Sequence, residues 1–172
     1  MLDENQLGSD TVAPSEKARF LFLRSRRLSR YGPPVLWATL IFVGSTSVLS
    51  ASHTSALLRV FLWIFPQASE ATLGTIHFLL RKAGHLTEYA ILALLAARAF
   101  RSSTRELLRR RWFWLSLLFI VVYALSDEVH QSFVPSRTAS IYDSMIDMFG
   151  GLTALAFLVI RKHGTHRQDL HD

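Results

Sequence analysis

Beyond residue 33 the chain is organised by long apolar runs rather than by strand-like alternation. Four runs approach the roughly 20 mostly apolar residues that a membrane-crossing helix needs. They are "PVLWATLIFVGSTSVLS" (34–50), "GHLTEYAILALLAARAF" (84–100), "RWFWLSLLFIVVYALSDEVHQ" (111–131) and "SIYDSMIDMFGGLTALAFLVI" (140–160). The pattern predicts an all-α integral membrane bundle of four transmembrane helices over residues 34–160. Pro33 and Pro34 stand before the first run and Pro135 in the loop before the fourth, where helices start and stop. In the loop after the first run, Leu57, Leu58, Phe61, Leu62 and Phe65 recur at helical spacing, which predicts a helix lying on the membrane surface. After Pro66, "ASEATLGTIHFLLRKAGHLTEYA" reads as one continuous helix, capped by Ser69 with Glu70 in its first turn. It starts outside the bilayer and runs inward as the second span. Residues 1–33 are polar with scattered basic residues and lack the apolar core of a signal peptide, so a disordered tail is expected there. Within it, 20–30 ("FLFLRSRRLSR") reads either as a short basic surface helix or as solvated tail. Residues 161–172 read as a second polar tail.

Charge orients this bundle. Lys17, Arg19, Arg24, Arg26, Arg27 and Arg30 precede the first run, and Arg98, Arg101, Arg105, Arg109, Arg110 and Arg111 lie between the second and third. Arg161, Lys162 and Arg167 follow the fourth, leaving Arg59, Arg81, Lys82 and Arg137 for the other side. Fifteen of the nineteen basic residues thus fall on one side, which predicts that both termini are cytoplasmic. The net charge of +6 raises nucleic acid as a partner, but orientation accounts for it, and no soluble basic unit is visible. With no cysteine, thiolate chemistry is excluded and any metal would need His and carboxylates.

The polar residues inside the runs carry the chemistry. Arg81, His85, Glu88 and Tyr89 share roughly one face of the second helix, with Lys82 on its edge. Tyr123, Asp127, His130 and Gln131 share a face of the third, with Glu128 beside them. Asp143, Asp147, Gly150 and Ala154 line up on the fourth, where Gly150, Gly151 and Ala154 allow another helix to approach closely. The predicted topology puts all of these near the outer leaflet. Ionisable groups in a span are costly and face a partner or a wet cavity, so three helices contributing at one depth predict a shared polar site. Arg137, in the turn after Pro135, is placed to reach over it. Asp143 has a local reading too, as a capping-box residue three positions after Ser140.

Two segments, "RKAGHLTEYAILALL" and "SDEVHQSFVPSRTASIYDSMIDMFGG", closely resemble the VanZ-like family of bacterial membrane proteins. That pattern has Lys-x-x-His with Tyr four residues after the His, then Asp-Glu with a nearby Gln, Phe-x-Pro-Gly-Arg, an Asp, and an Asp or Asn preceding Gly. Lys82, His85, Tyr89, Asp127, Glu128, Gln131, Phe133, Pro135, Arg137, Asp143, Asp147 and Gly150 match it, and Ser136 stands where Gly is usual. The resemblance implies a small multi-helix protein of the cytoplasmic membrane and a link with resistance to the glycopeptide teicoplanin.

The expected ligand is an anionic envelope amphiphile: a phospholipid, a lipid-linked carrier or a glycopeptide lipid tail. Arg81, Lys82 and Arg137 would hold its headgroup, with Tyr89 and Gln131 as further contacts. Were there a reaction, His85 or His130 would serve as base, oriented by Glu88 or Asp127, with Glu128, Asp143 and Asp147 as further carboxylates. A small proton-coupled transporter is an alternative, and with four helices and no inverted repeat it would need a homo-oligomer. A scaffold whose buried ion pairs only fix helix packing is another. His85/Glu88 and Asp127/His130 have metal-ligand spacing, but the order is reversed in one helix and the layer holds no third histidine, so no cofactor is expected.

Overall fold

The computed structural model describes residues 16–45, 59–133 and 140–168, with side-chain surroundings for 24–45, 59–133 and 140–162. All regular structure among them is helical: α1 (Glu16–Gly44), α2 (Glu70–Arg101), α3 (Glu106–Arg110), α4 (Trp112–Ser132) and α5 (Ile141–Gln168), with a further helical stretch over 59–64. The predicted surface helix covers that stretch, although Leu57 and Leu58 lie outside the described residues.

Helix α2 begins as its sequence dictates. Ser69, in extended conformation, accepts a hydrogen bond from the Thr72 amide at 3.2 Å, and Glu70 complements the exposed amides of the first turn. Helix α1 departs from expectation. It starts at Glu16, so 16–33 is helix rather than disordered tail, and it runs through Pro33 and Pro34. Proline carries a helical φ, and Gly32 has no Cβ to meet the ring of Pro33. The cost is the loss of two ladder bonds, to the carbonyls of Ser29 and Arg30. At the other end, α5 continues to Gln168 through the stretch expected to be a polar tail. The first apolar run is helical only to Gly44, and its residues 46–50 lie outside the described residues.

The packing is inverted relative to a soluble bundle. On α4, Ser116, Ile120, Ala124, Asp127 and Gln131 are buried, while Trp114, Leu118, Val122, Leu125 and Val129 are exposed. Both rows follow the same helical spacing, so the row that carries Ser116, Asp127 and Gln131 faces helices and the wholly apolar row faces outward, as a lipid solvent requires. Two helices, Trp112–Ser132 and Ile141–Lys162, are long and apolar enough to cross a membrane. Both have a mean hydropathy of 1.6 over their best window.

Helix α2 is the central element, packed against α1, α4 and α5. Small residues allow this. Ala93 and Ala97 of α2 join Tyr89, Leu92, Ile120, Ala124, Leu155 and Ile41 in the core. Gly150 lies against the backbone of α2, where a Cβ would meet the carbonyl oxygen of Leu86 and stand 3.0 Å from its Cα. A Cβ on Gly151 would stand 2.7 Å from Ile120 Cγ2 of α4. Two adjacent glycines thus let α5 sit in the groove between α2 and α4, as small-residue packing in membranes does.

Candidate functional site

The α2–α5 seam and the inner edge of α4 form a column of paired polar groups. Each step of α2 presents one basic or phenolic side chain to one carboxylate. At the open end Lys82 Nζ bonds Asp143 Oδ1, and Arg81 Nη2 lies 3.7 Å from Asp143 Oδ2. One turn further in, His85 Nδ1 lies 3.2 Å from Asp147 Oδ1. Another turn on, the Tyr89 hydroxyl donates to Asp127 Oδ2 at 3.4 Å. Helical spacing aligns the rungs: residues 82, 85 and 89 share a face of α2, and 143 and 147 share a face of α5. Exposure falls along the column, from 40% for the Arg81 side chain to 0% for Tyr89.

Asp127 closes the inner end. It is 2% exposed, and its Oδ2 also accepts from Ser45 Oγ at 3.1 Å and Gln131 Nε2 at 2.9 Å. Four polar atoms in this region are buried without a hydrogen-bond partner among the described residues: His85 Nδ1, Asp127 Oδ1, Ser144 Oγ and Asp147 Oδ1. His85 and Asp147 are therefore at contact distance but not aligned for a hydrogen bond. Buried polar atoms left unpaired are uncommon and mark places where a proton, a water or a ligand atom completes the bonding.

The remaining site residues are placed less centrally. Glu128 accepts from the backbone N–H of Ser140, fixing the start of α5. This corrects the capping-box reading of Asp143: the cap is a carboxylate of α4, and Asp143 turns to Lys82. His130 stacks on Phe42 of α1 with centroids 4.0 Å apart, and its Nδ1 is buried without a partner. Glu88 is half-buried, and its carbonyl accepts from Trp37 Nε1 at 2.9 Å. Arg137, Pro135 and Ser136 lie outside the described residues. Among the described residues no three His, Asp or Glu side chains converge as metal ligands.

Sequence reasoning missed Ser45, Trp37 and Ser144. Ser45 stands in the Ser/Thr-rich end of the first apolar run, where nothing singles out one hydroxyl. Trp37 is one of several aromatics in the apolar runs, and its spacing does not single it out. Ser144 had a usable signal, since it precedes Asp147 by three positions and shares its face.

The model of one protein family, described as VanZ/LLP1, matches residues 33–162 of this chain. No curated protein and no solved structure matches it.

Proposed function

The chain belongs to the VanZ/LLP1 family, and on that premise we propose that its polar column binds an anionic envelope amphiphile at the membrane surface. The ligand is a phospholipid, a lipid-linked carrier or a glycopeptide lipid tail, and the setting is envelope or glycopeptide resistance. The carrying observation is the make-up of the open end. Arg81, Lys82 and Asp143 are bordered by exposed Phe78 and Leu79 on α2 and by exposed Tyr142 and Met145 on α5. Charge ringed by outward apolar side chains fits a headgroup with an attached chain better than it fits a soluble anion. The headgroup engages Arg81, which Asp143 holds only loosely, and competes with Asp143 for Lys82. His85 and Asp147 lie one turn behind, within reach of a proton on the bound group.

In this reading the protein spans the cytoplasmic membrane four times with both termini inside, and the column opens toward the outer leaflet. The charge bias supports that orientation, with fifteen of nineteen basic residues on the inner side.

The experiment is native mass spectrometry of protein extracted from its own membranes. Wild type should retain an anionic lipid-like adduct, and Arg81→Gln/Lys82→Gln should lose at least one such adduct per chain. An unchanged adduct in that variant rejects the proposal. A second reading, proton-coupled transport, is favoured by the unpaired atoms of His85, Asp147 and Asp127 along one column. It predicts a proton flux into liposomes that Asp147→Asn abolishes and Arg81→Gln/Lys82→Gln leaves in place.

A further inference from the structure

At the other end of the bundle the turn between α2 and α3 folds against α1. Ser103 is its anchor: it is buried, and its Oγ lies 3.3 Å from the Tyr31 hydroxyl, which donates to it, and accepts from the Arg105 amide at 3.2 Å. The first bond ties α1 to the turn, the second holds the turn itself, and a pocket of about 390 Å³ lies between α1 and the turn. Arg27, Arg30 and Tyr31 of α1 line one wall, and Thr104 and Arg105 line the other.

Its electrostatics are one-sided. No acidic side chain lines the pocket among the described residues. The carboxylate nearest in sequence, Glu106, is turned to Arg109 and Arg110. Arg30 lies 5.9 Å above the Tyr31 ring, which holds the guanidinium without neutralising it. The orientation rule accounts for many arginines on this side. It does not account for three of them, from two separate elements, bordering one concavity together with a threonine hydroxyl. Guanidinium forks and hydroxyls facing one space are the donor set for a phosphate, and the volume falls in the range of small-molecule sites.

We propose that this pocket binds a phosphate group, borne either by a lipid headgroup or by a soluble phosphate compound. Arg27, Arg30 and Arg105 supply the charge and Thr104 a hydroxyl. The site is distinct from the polar column, because sixteen helical steps along α2, from His85 to Arg101, separate them by about 24 Å. It stands independently of the proposed amphiphile site.

The test uses full-length protein stripped of lipid in detergent, offered phosphatidylglycerol, phosphatidylcholine or pyrophosphate, and read by native mass spectrometry and thermal unfolding. Retention of phosphatidylglycerol over phosphatidylcholine, without stabilisation by pyrophosphate, assigns the site to a lipid headgroup. Stabilisation by pyrophosphate, with displacement of phosphatidylglycerol, assigns it to a soluble phosphate. In either case Arg27→Gln/Arg30→Gln/Arg105→Gln should weaken binding roughly tenfold. Arg109→Gln/Arg110→Gln/Arg111→Gln removes the same charge beside the pocket and should change binding less than about twofold. All of these proteins also carry Arg81→Gln/Lys82→Gln, so that anionic lipid held at the polar column does not enter the comparison. Should the pocket triple variant not fold, Arg105→Gln alone should still weaken binding by about threefold. Equal losses in the two triple variants, or no preference for phosphatidylglycerol together with no response to pyrophosphate, overturns the proposal.

Discussion

His85 and Asp147 meet across the α2–α5 seam at 3.2 Å, both atoms buried and neither aligned for a hydrogen bond. Removing one member of such a pair leaves the other desolvated and uncompensated, which costs about 3 kcal/mol. His85→Ala should therefore lower the unfolding temperature in detergent clearly, and Asp147→Asn, which keeps the shape, should lower it less. The double variant His85→Ala/Asp147→Asn should recover part of the His85→Ala loss. Measured by thermal unfolding, a double-mutant cycle should give a coupling of about 2 kcal/mol. Additive losses would show that the two side chains do not interact.

Asp127 is the acceptor that joins α1, α2 and α4, through Ser45, Tyr89 and Gln131. Ser45→Ala removes one of three donors and should cost about 1 kcal/mol. Asp127→Ala deprives all three donors of this acceptor and should cost about 3 kcal/mol. Asp127→Asn, which retains an acceptor oxygen, should fall between. Chemical denaturation in mixed micelles orders the three variants.

The convergence of α2, α4 and α5 was legible because costly groups in apolar runs must find each other, and helical spacing says on which faces. His85 and Tyr89 lie on the predicted face of α2, with Lys82 at its edge, and Asp143 and Asp147 lie on that of α5. The pairing within the column was not legible, since nothing in the spacing tells Asp143 to choose Lys82 over its own helix start. That choice follows from Glu128 reaching Ser140 first, a contact between two helices. The reach of α1 was hidden by Pro33 and Pro34, which read as a helix start because proline is tolerated there. The Gly32 before them, and the amphiphilic run ahead, let the helix carry through. The contribution of α1 to the site was missed because Ser45 and Trp37 are uncharged and carry no cost that demands explanation.

Gly150 is the closest approach between α2 and α5. Gly150→Ala forces its new methyl into the Leu86 carbonyl, which neighbouring backbone cannot yield cheaply, and should destabilise by about 2 kcal/mol. Gly74→Ala is the contrasting case, with open space around its Cβ in the interior of α2. Relief of glycine's backbone entropy should make it stabilising by about 0.8 kcal/mol. Opposite shifts of unfolding temperature for the two substitutions check the packing.

Glu106 lies outside the membrane-spanning segments, and its ion pairs with Arg110 and Arg109 hold its carboxyl below the ordinary carboxylate value. A depressed folded-state value stabilises above the unfolded value, and the effect is lost as pH falls through the folded one. Helix α3 should therefore loosen only at acid pH, and salt should weaken the effect because the group is exposed. Carboxyl titration by NMR should show a midpoint below that of a model glutamate. The midpoint should rise toward it in Arg110→Gln.

Glu128 holds the Ser140 amide, so α4 caps α5 from outside it. Helix starts leave amides unsatisfied, and loss of a capping acceptor costs about 1 kcal/mol. Glu128→Ala should fray the first turn of α5, where Asp143 sits, and so loosen the Lys82–Asp143 contact at the column's open end. Glu128→Gln keeps an acceptor oxygen at the same reach and should retain the cap. Hydrogen exchange separates the two: amides of 140–143 should exchange about five times faster in the alanine variant, as expected for ~1 kcal/mol. In the glutamine variant they should exchange near the wild-type rate. Equal acceleration in both would mean that the negative charge, rather than the acceptor, holds the helix start.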